Sequence, residues 1–191
     1  GGKGGVPALQ GGGREFKYSG RDFDENGIIF FFGTNGGRKA WSNPGENGTL
    51  TVTSSPLAVK PASTPACGIL SRQTIRCVTQ ARKRSFYTID FGSYRIQPTA
   101  YTLRHYSSWN TEAVRNWRLE GANDEKLTSW ETIRDHRDDC ALDGKGSTYT
   151  WRLSSQKAYR GFRIFQTGVN SNGHWFLALS GFEIYGLLSG S

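Results

Sequence analysis

Residues 98–124 read PTAYTLRHYSSWNTEAVRNWRLEGAND. In the first part Tyr101, Leu103 and His105 alternate with Thr102, Arg104 and Tyr106. In the second, Trp117, Leu119 and Gly121 alternate with Arg118, Glu120 and Ala122. Large residues at every second position predict two strands, each with one buried face. Between them Ser107 to Asn116 form a polar loop that carries Trp109, Arg115 and Asn116. A strand pair that holds up a loop with an aromatic and a basic group is a common platform for binding.

Working outward, the same pattern recurs. Strands are predicted over Thr49–Thr53, Phe86–Phe91, Trp130–His136, Ser147–Leu153, Tyr159–Thr167 and Phe176–Leu187, with Gly181 marking a bulge or bend in the last. Ile28 to Phe32 is a continuous apolar run, read as a strand buried on both faces. Asp22 to Gly27 has the opening of a calcium loop. Its twelfth position is Gly33 rather than a bidentate Glu, which excludes that motif. Residues 54–85 form a long connection with three prolines. Many short strands at this spacing, with turn residues between them, predict an all-β antiparallel sandwich or barrel.

The length of 191 residues suits one domain. Residues 1–20, rich in Gly, read as a flexible lead; 21–188 form the domain and 189–191 a tail. The lead has no apolar core of a signal peptide, which points to an intracellular, cytoplasmic protein and to a piece of a longer chain. No apolar run approaches the roughly 18 residues of a membrane span. Cys67, Cys77 and Cys140 are too few for a disulfide scaffold, although Cys67 and Cys77 could bridge. The Asn47-Gly48-Thr49 sequon also reads as a turn.

Lys and Arg number 24 against 16 Asp and Glu, a net charge of +8, which favours acidic partners. Part of the excess lies in a segment with Arg72, Arg76, Arg82, Lys83 and Arg84. This basic patch reads first as a solvated loop and second as a face for anionic lipid or nucleic acid. The absence of any nucleic-acid-binding motif beside it argues against the latter.

Catalysis has little support, and an enzyme is the least favoured reading. The GxSxG, HExxH, Walker and GxGxxG patterns are all missing. His105, His136 and His174 lie in separate segments, and a metal site of His105, His174 and Cys77 lacks the usual tight spacing. Trp117 and Trp130 read as core. Arg118, Glu120, Arg163 and Glu183 read as outward-facing ion pairs. The candidate ligand-binding surface is Arg104, Tyr106, Trp109, Arg115, Asn116, Asn170, Asn172, His174 and Trp175, because Trp and Arg most often dominate binding energy. Arg104 has an alternative role, bracing the loop by bonding backbone carbonyls.

Four segments carry a family resemblance: FYTIDFG (86–92), WRLEGAND (117–124) followed by Trp130, GFRIF (161–165) and GFEIYG (181–186). In order and spacing they are similar to the discoidin, or coagulation-factor type C, domains. GIIFFFGTN…WSNPGENGTLTVTSS (27–55) and YTLRHYSS…RNWRLEGAND resemble an intracellular branch, found in BTB-domain proteins and in a giant HECT-type ubiquitin ligase. Cysteines at the two chain ends, usual in secreted members, are missing. The resemblance implies an eight-stranded, galactose-binding-like jelly roll whose ligands meet loops at one end. Loops 107–116 and 168–175 should share that end, with 54–85 supplying spikes. It further implies a non-catalytic module that binds a protein segment, an acidic one by the charge balance, in substrate recruitment for ubiquitin ligation. The alternative is a carbohydrate-binding module. No cofactor is implied beyond a calcium ion that props the loops in some sugar-binding relatives.

Overall fold

The computed structural model describes Val6, Leu9 and residues 11–191. The flexible lead expected over residues 1–20 falls partly outside the described residues. Nine strands run in chain order: β1 (Arg14–Phe16), β2 (Thr51–Ser54), β3 (Phe86–Asp90), β4 (Arg95–Arg104), β5 (Trp117–Ala122), β6 (Glu131–His136), β7 (Thr148–Arg152), β8 (Gly161–Gln166) and β9 (Gly181–Ser189). They form a four-stranded sheet, β1-β9-β4-β7, and a five-stranded sheet, β2-β3-β8-β5-β6. Every pairing is antiparallel. The all-β sandwich read from the alternation is the observed architecture.

The alternation places one side chain in two between the sheets. Tyr101, Leu103, Phe182 and Ile184 face Tyr87, Ile89, Leu119, Phe162 and Ile164, all 2% exposed or less. Each such apolar side chain stabilises the fold by about 1.5–3 kcal/mol on burial. Trp117 is fully buried, as expected, and stacks on His136 with ring centroids 3.9 Å apart. Its Nε1 donates to Tyr101 Oη at 3.0 Å, Tyr101 Oη lies 2.5 Å from His136 Nε2, and His136 Nδ1 lies 2.8 Å from Asp139 Oδ2. Burial lowers the His136 pKa to about 4, so the ring is neutral. Asp139 can only accept, so Nδ1 carries the proton and Nε2 accepts from Tyr101. Trp130, read as core, is instead partly exposed, and the Arg163 guanidinium stacks on it at 4.5 Å.

The apolar run 28–32 is a helix, α1 (Ile28–Gly33), not a strand. Apolar continuity alone cannot separate the two; a distant residue decides. Glu183 Oε1 and Oε2 accept the N–H groups of Ile29 (2.7 Å) and Phe30 (3.1 Å), satisfying two donors that a helix start leaves free. A Cβ on Gly27 would lie 2.0 Å from the Glu183 carboxyl carbon, so only glycine lets the chain approach it.

Glu183 is therefore not an outward-facing ion pair. It is 1% exposed, because residues 18–33 cover the outer face of the four-stranded sheet. Asp22 takes the Thr148 and Thr150 hydroxyls at 2.6 and 2.7 Å, and Tyr185 Oη donates to Asp24 at 2.8 Å. Burial pushes the Glu183 pKa up to about 7, against the pull of the N–H groups of Ile184, Ile29 and Phe30 and of Arg72. The expected lead is also shortened, since Arg14–Phe16 pairs with β9 as β1. At the other end β9 runs to Ser189, into the expected tail. Gly181 marks no bulge. Phe23 and Arg104 press against it, and the register shift in this sheet lies at Pro98/Ala100.

Candidate functional site

Strands β4 and β8 both run toward one end of the sandwich, and loops 105–116 and 167–180 leave them there. The two loops are joined by backbone. Ser171 N donates to Ala113 O at 2.8 Å, and Thr167 N to Asn116 O at 3.0 Å. The long 55–85 connection joins them, with Ser107 N donating to Ile75 O at 3.0 Å. A fourth loop arrives from β6–β7, where Gly146 N donates to Tyr106 O. The expected gathering of loops at one end is present.

Glu112, which sequence reasoning missed, is the hinge pin of this gathering. Its carboxylate accepts Asn170 Nδ2 and Asn172 Nδ2, each at 2.8 Å, and lies 3.0 Å from His174 Nδ1. Although burial raises its pKa, the hydrogen bonds from Asn172, Asn170 and His174 outweigh that and lower it. The residue is 8% exposed and sits in the left-handed region at φ 66°. Holding a non-glycine residue there costs of order 1–3 kcal/mol, so the surrounding contacts must over-determine it.

The nine sequence-predicted residues divide into three groups. Five form a frame. Arg104, 7% exposed, donates from Nη2 to the carbonyls of Ser71 (2.8 Å), Gln73 (2.9 Å) and Ser180 (2.6 Å), and stacks on Phe23 at 4.6 Å. Burial lowers its pKa to about 10, where it stays charged. The bracing alternative describes it. Tyr106 is 2% exposed beneath the Arg76 guanidinium. Arg115 Nη1 holds Leu142 O at 2.7 Å. Asn116 bridges Val169 O and Asp138 N at 3.0 and 2.9 Å. Asn170 Oδ1 accepts the N–H of Asn172 and of His174, closing its own turn.

Three residues form a rim open to solvent: Trp109, 63% exposed, with Asn172 and His174. The Trp109 ring is free while its backbone is held. His105 Nε2 lies 2.9 Å from both Trp109 O and Thr111 O. Two carbonyl neighbours require a proton on that nitrogen. A fixed backbone under an exposed aromatic lowers the ordering cost of binding. Trp175, the ninth residue, faces a different hollow with Lys83, Arg84, Arg118, Phe165 and Thr167.

The basic segment also divides. Arg72 stacks on Phe30 (4.7 Å) and Trp41 (5.5 Å) beside Glu183, and Arg76 donates to Ser108 Oγ and Pro61 O. Both are structural. Arg82, Lys83 and Arg84 are exposed. Cys67, Cys77 and Cys140 are all free thiols. His105 and His174 are engaged separately, so the metal arrangement with Cys77 does not form. Among the described residues no group of three His, Cys, Asp or Glu side chains could hold a metal ion.

No family model matches the chain. Among solved structures, a Clostridium perfringens module, CpGH89CBM32-5, in complex with GalNAc-β-1,3-galactose, aligns with a TM-score of 0.57. The identity is 14%, over 72% of this chain and 96% of that one. A fucolectin from striped bass aligns with a TM-score of 0.57 at 14% identity, over 72% and 47% of the two chains. The chain has the discoidin-type, galactose-binding-like fold. In this discoidin-type domain the eight expected strands are joined by β1 at the sheet edge.

The sequence relatives are of the two kinds that the resemblance named. The E3 ubiquitin-protein ligase Ufd4 of Drosophila melanogaster is 42% identical over 176 residues, 88% of this chain. The E3 ubiquitin-protein ligase hecd-1 of Caenorhabditis elegans is 42% identical over 171 residues, 86% of this chain. A BTB/POZ domain-containing protein of Arabidopsis thaliana is 27% identical over 186 residues. The chain spans 6% of the length of each ligase and 22% of the BTB/POZ protein. No helix among the described residues is long and apolar enough to cross a membrane.

Proposed function

We propose that this domain is a non-catalytic recognition module of a larger intracellular ubiquitin ligase, and that its loop end binds a segment of a protein, bringing a substrate to the ligase. The observation that carries the reading is Trp109, whose ring is 63% exposed on a loop tied down from below. A large aromatic on a rigid loop is a typical anchor for a protein partner. The likeness to two ligases supports the setting. Lys145 is exposed beside the loop, its N–H on Asn110 Oδ1 at 3.1 Å, and an acidic segment suits it. The test is capture from lysate by the wild-type domain and by Trp109→Ala. Discrete proteins lost with the ring support the reading, and unchanged capture refutes it.

A second reading, a sugar-binding rim, is favoured by one observation. Trp109 offers an aromatic face, and Asn172 and His174 offer polar groups on the adjoining loop. Solved structures of this fold include modules in complex with sugars. Salt-insensitive glycan-array binding that disappears in Trp109→Ala would select it over the protein-segment reading.

A further inference from the structure

The two sheets differ on their outer faces. Residues 18–33 cover the four-stranded sheet, whereas the five-stranded sheet is open where β3, β8 and β5 meet the loop end. Cross-strand register sets a row on that open face. Phe86 stands opposite Phe165, Phe165 opposite Arg118, and Arg118 opposite Asp135. Cross-strand partners share a face. Trp175 and Thr167, following β8, and Lys83 and Arg84, preceding β3, close Phe165 and Arg118 of that row into a hollow of 470 Å³.

The hollow has an apolar floor and a cationic rim. Phe165 is partly exposed, and Arg163 stacks on it at 4.5 Å. Lys83 and Arg84 are exposed, and no ion pair among the described residues includes either. Arg118 has one carboxylate nearby, Asp135 at 3.7 Å, itself shared with Arg137. Arg84 is held at φ 64°, which fixes the turn that presents it. Unpaired cations beside exposed aromatic surface complement an anionic ligand with an apolar group.

We propose that this hollow is a second docking site, distinct from the Trp109 rim, and that its occupant is a short acidic peptide segment with one apolar anchor. Carboxylates would sit on Lys83, Arg84 and Arg118, and the anchor on Phe165 and Trp175. The hollow is confined to 470 Å³ and combines an aromatic floor with three cations, a volume and a charge pattern that a few side chains of a short acidic peptide fill.

The test is fluorescence anisotropy with a fluorescein-labelled peptide of aspartates and glutamates around a central leucine. Its arms are the wild-type domain, Lys83→Glu/Arg84→Glu, the charge-matched control Arg38→Glu/Lys39→Glu, and Trp109→Ala. The expected result is binding by wild type, a loss of roughly tenfold or more in the Lys83/Arg84 variant, and retention in the other two. Equal weakening in the two charge-reversed variants overturns the site, because it reduces the effect to net charge. Absence of peptide binding overturns it as well, as does tighter, Lys83/Arg84-dependent binding of phosphatidylserine vesicles or oligothymidylate. Loss in Trp109→Ala would assign the peptide to the rim instead. Failure of the rim in lysate capture leaves this outcome untouched, so the two readings fail separately.

Discussion

Asn170 Nδ2 donates a 2.8 Å hydrogen bond to Glu112 Oε2 across 58 positions of sequence, and with it the two loops at the end of the sandwich become one surface. Both residues are buried, Glu112 at 8% and Asn170 at 4% exposure. The same carboxylate takes Asn172 and His174, so the shape of the β8–β9 loop depends on one side chain of the β4–β5 loop.

Glu112→Ala removes that acceptor and leaves Asn170 Nδ2 with only Phe176 O. A loss of about 1–3 kcal/mol is expected, the cost of unpairing buried polar groups. Amide hydrogen exchange should speed up over residues 170–174 while the strand amides keep their protection. Partner binding at the rim should weaken although Trp109 is untouched.

Arg104→Lys keeps the charge and loses the guanidinium whose Nη2 reaches three carbonyls and whose plane stacks on Phe23. The substitution should cost about 2 kcal/mol or more. A urea titration should show a lower midpoint with an unchanged slope, because the surface exposed on unfolding stays the same. An unchanged midpoint would show that the Arg104 bonds contribute nothing net.

Two buried groups oppose one another in their pH dependence. The Glu183 pKa is raised to about 7 in the fold, so the folded state holds its proton where the unfolded chain has lost it. Stability from this group is complete below about pH 4.5 and declines as pH rises to 7. The His136 pKa is lowered to about 4, so the unfolded chain binds a proton that the fold excludes. Stability from that group is lost as pH falls from about 6.5 to 4. Asp22, Asp24, Glu112 and Asp139, all lowered, act below about pH 4. His105, whose pKa burial also lowers, acts in the same direction as His136. Between pH 4.5 and 6.5 Glu183 should therefore offset part of the histidine slope in the wild-type profile. Glu183→Gln leaves the histidine slopes alone, and its stability should climb with pH more steeply than wild type, by about 3 kcal/mol more over that window. A flat profile in the variant would contradict the assignment.

The strands were legible because each keeps one face buried. Tyr101, Leu103, Trp117, Leu119, Phe162 and Ile164 mark the period of two without ambiguity. Helix α1 was not legible. Ile28–Phe32 is apolar at every position, and its start is set by Glu183, 154 positions from Ile29. Glu183 misled for the same reason, since its cover is the N-terminal segment that reads as loop and lead. The loop end was legible from strand direction, and Trp109 from composition. The division of the site was not. Arg104 and Arg115 look like ligand contacts in a sequence, and only the carbonyls of Ser71, Gln73, Ser180 and Leu142 reveal them as braces. Glu112 carries no signal beyond being an acid in a polar loop.

The most direct test of the rim is photocrosslinking with benzoylphenylalanine placed at position 109, and at position 187 as a control. Leu187 is 37% exposed on β9, away from the loop end. Irradiation in lysate should join the position-109 probe to a small set of proteins that the position-187 probe does not capture. Identical products from the two positions, or no protein adduct at 109, would contradict the claim that the Trp109 rim recognises a protein segment.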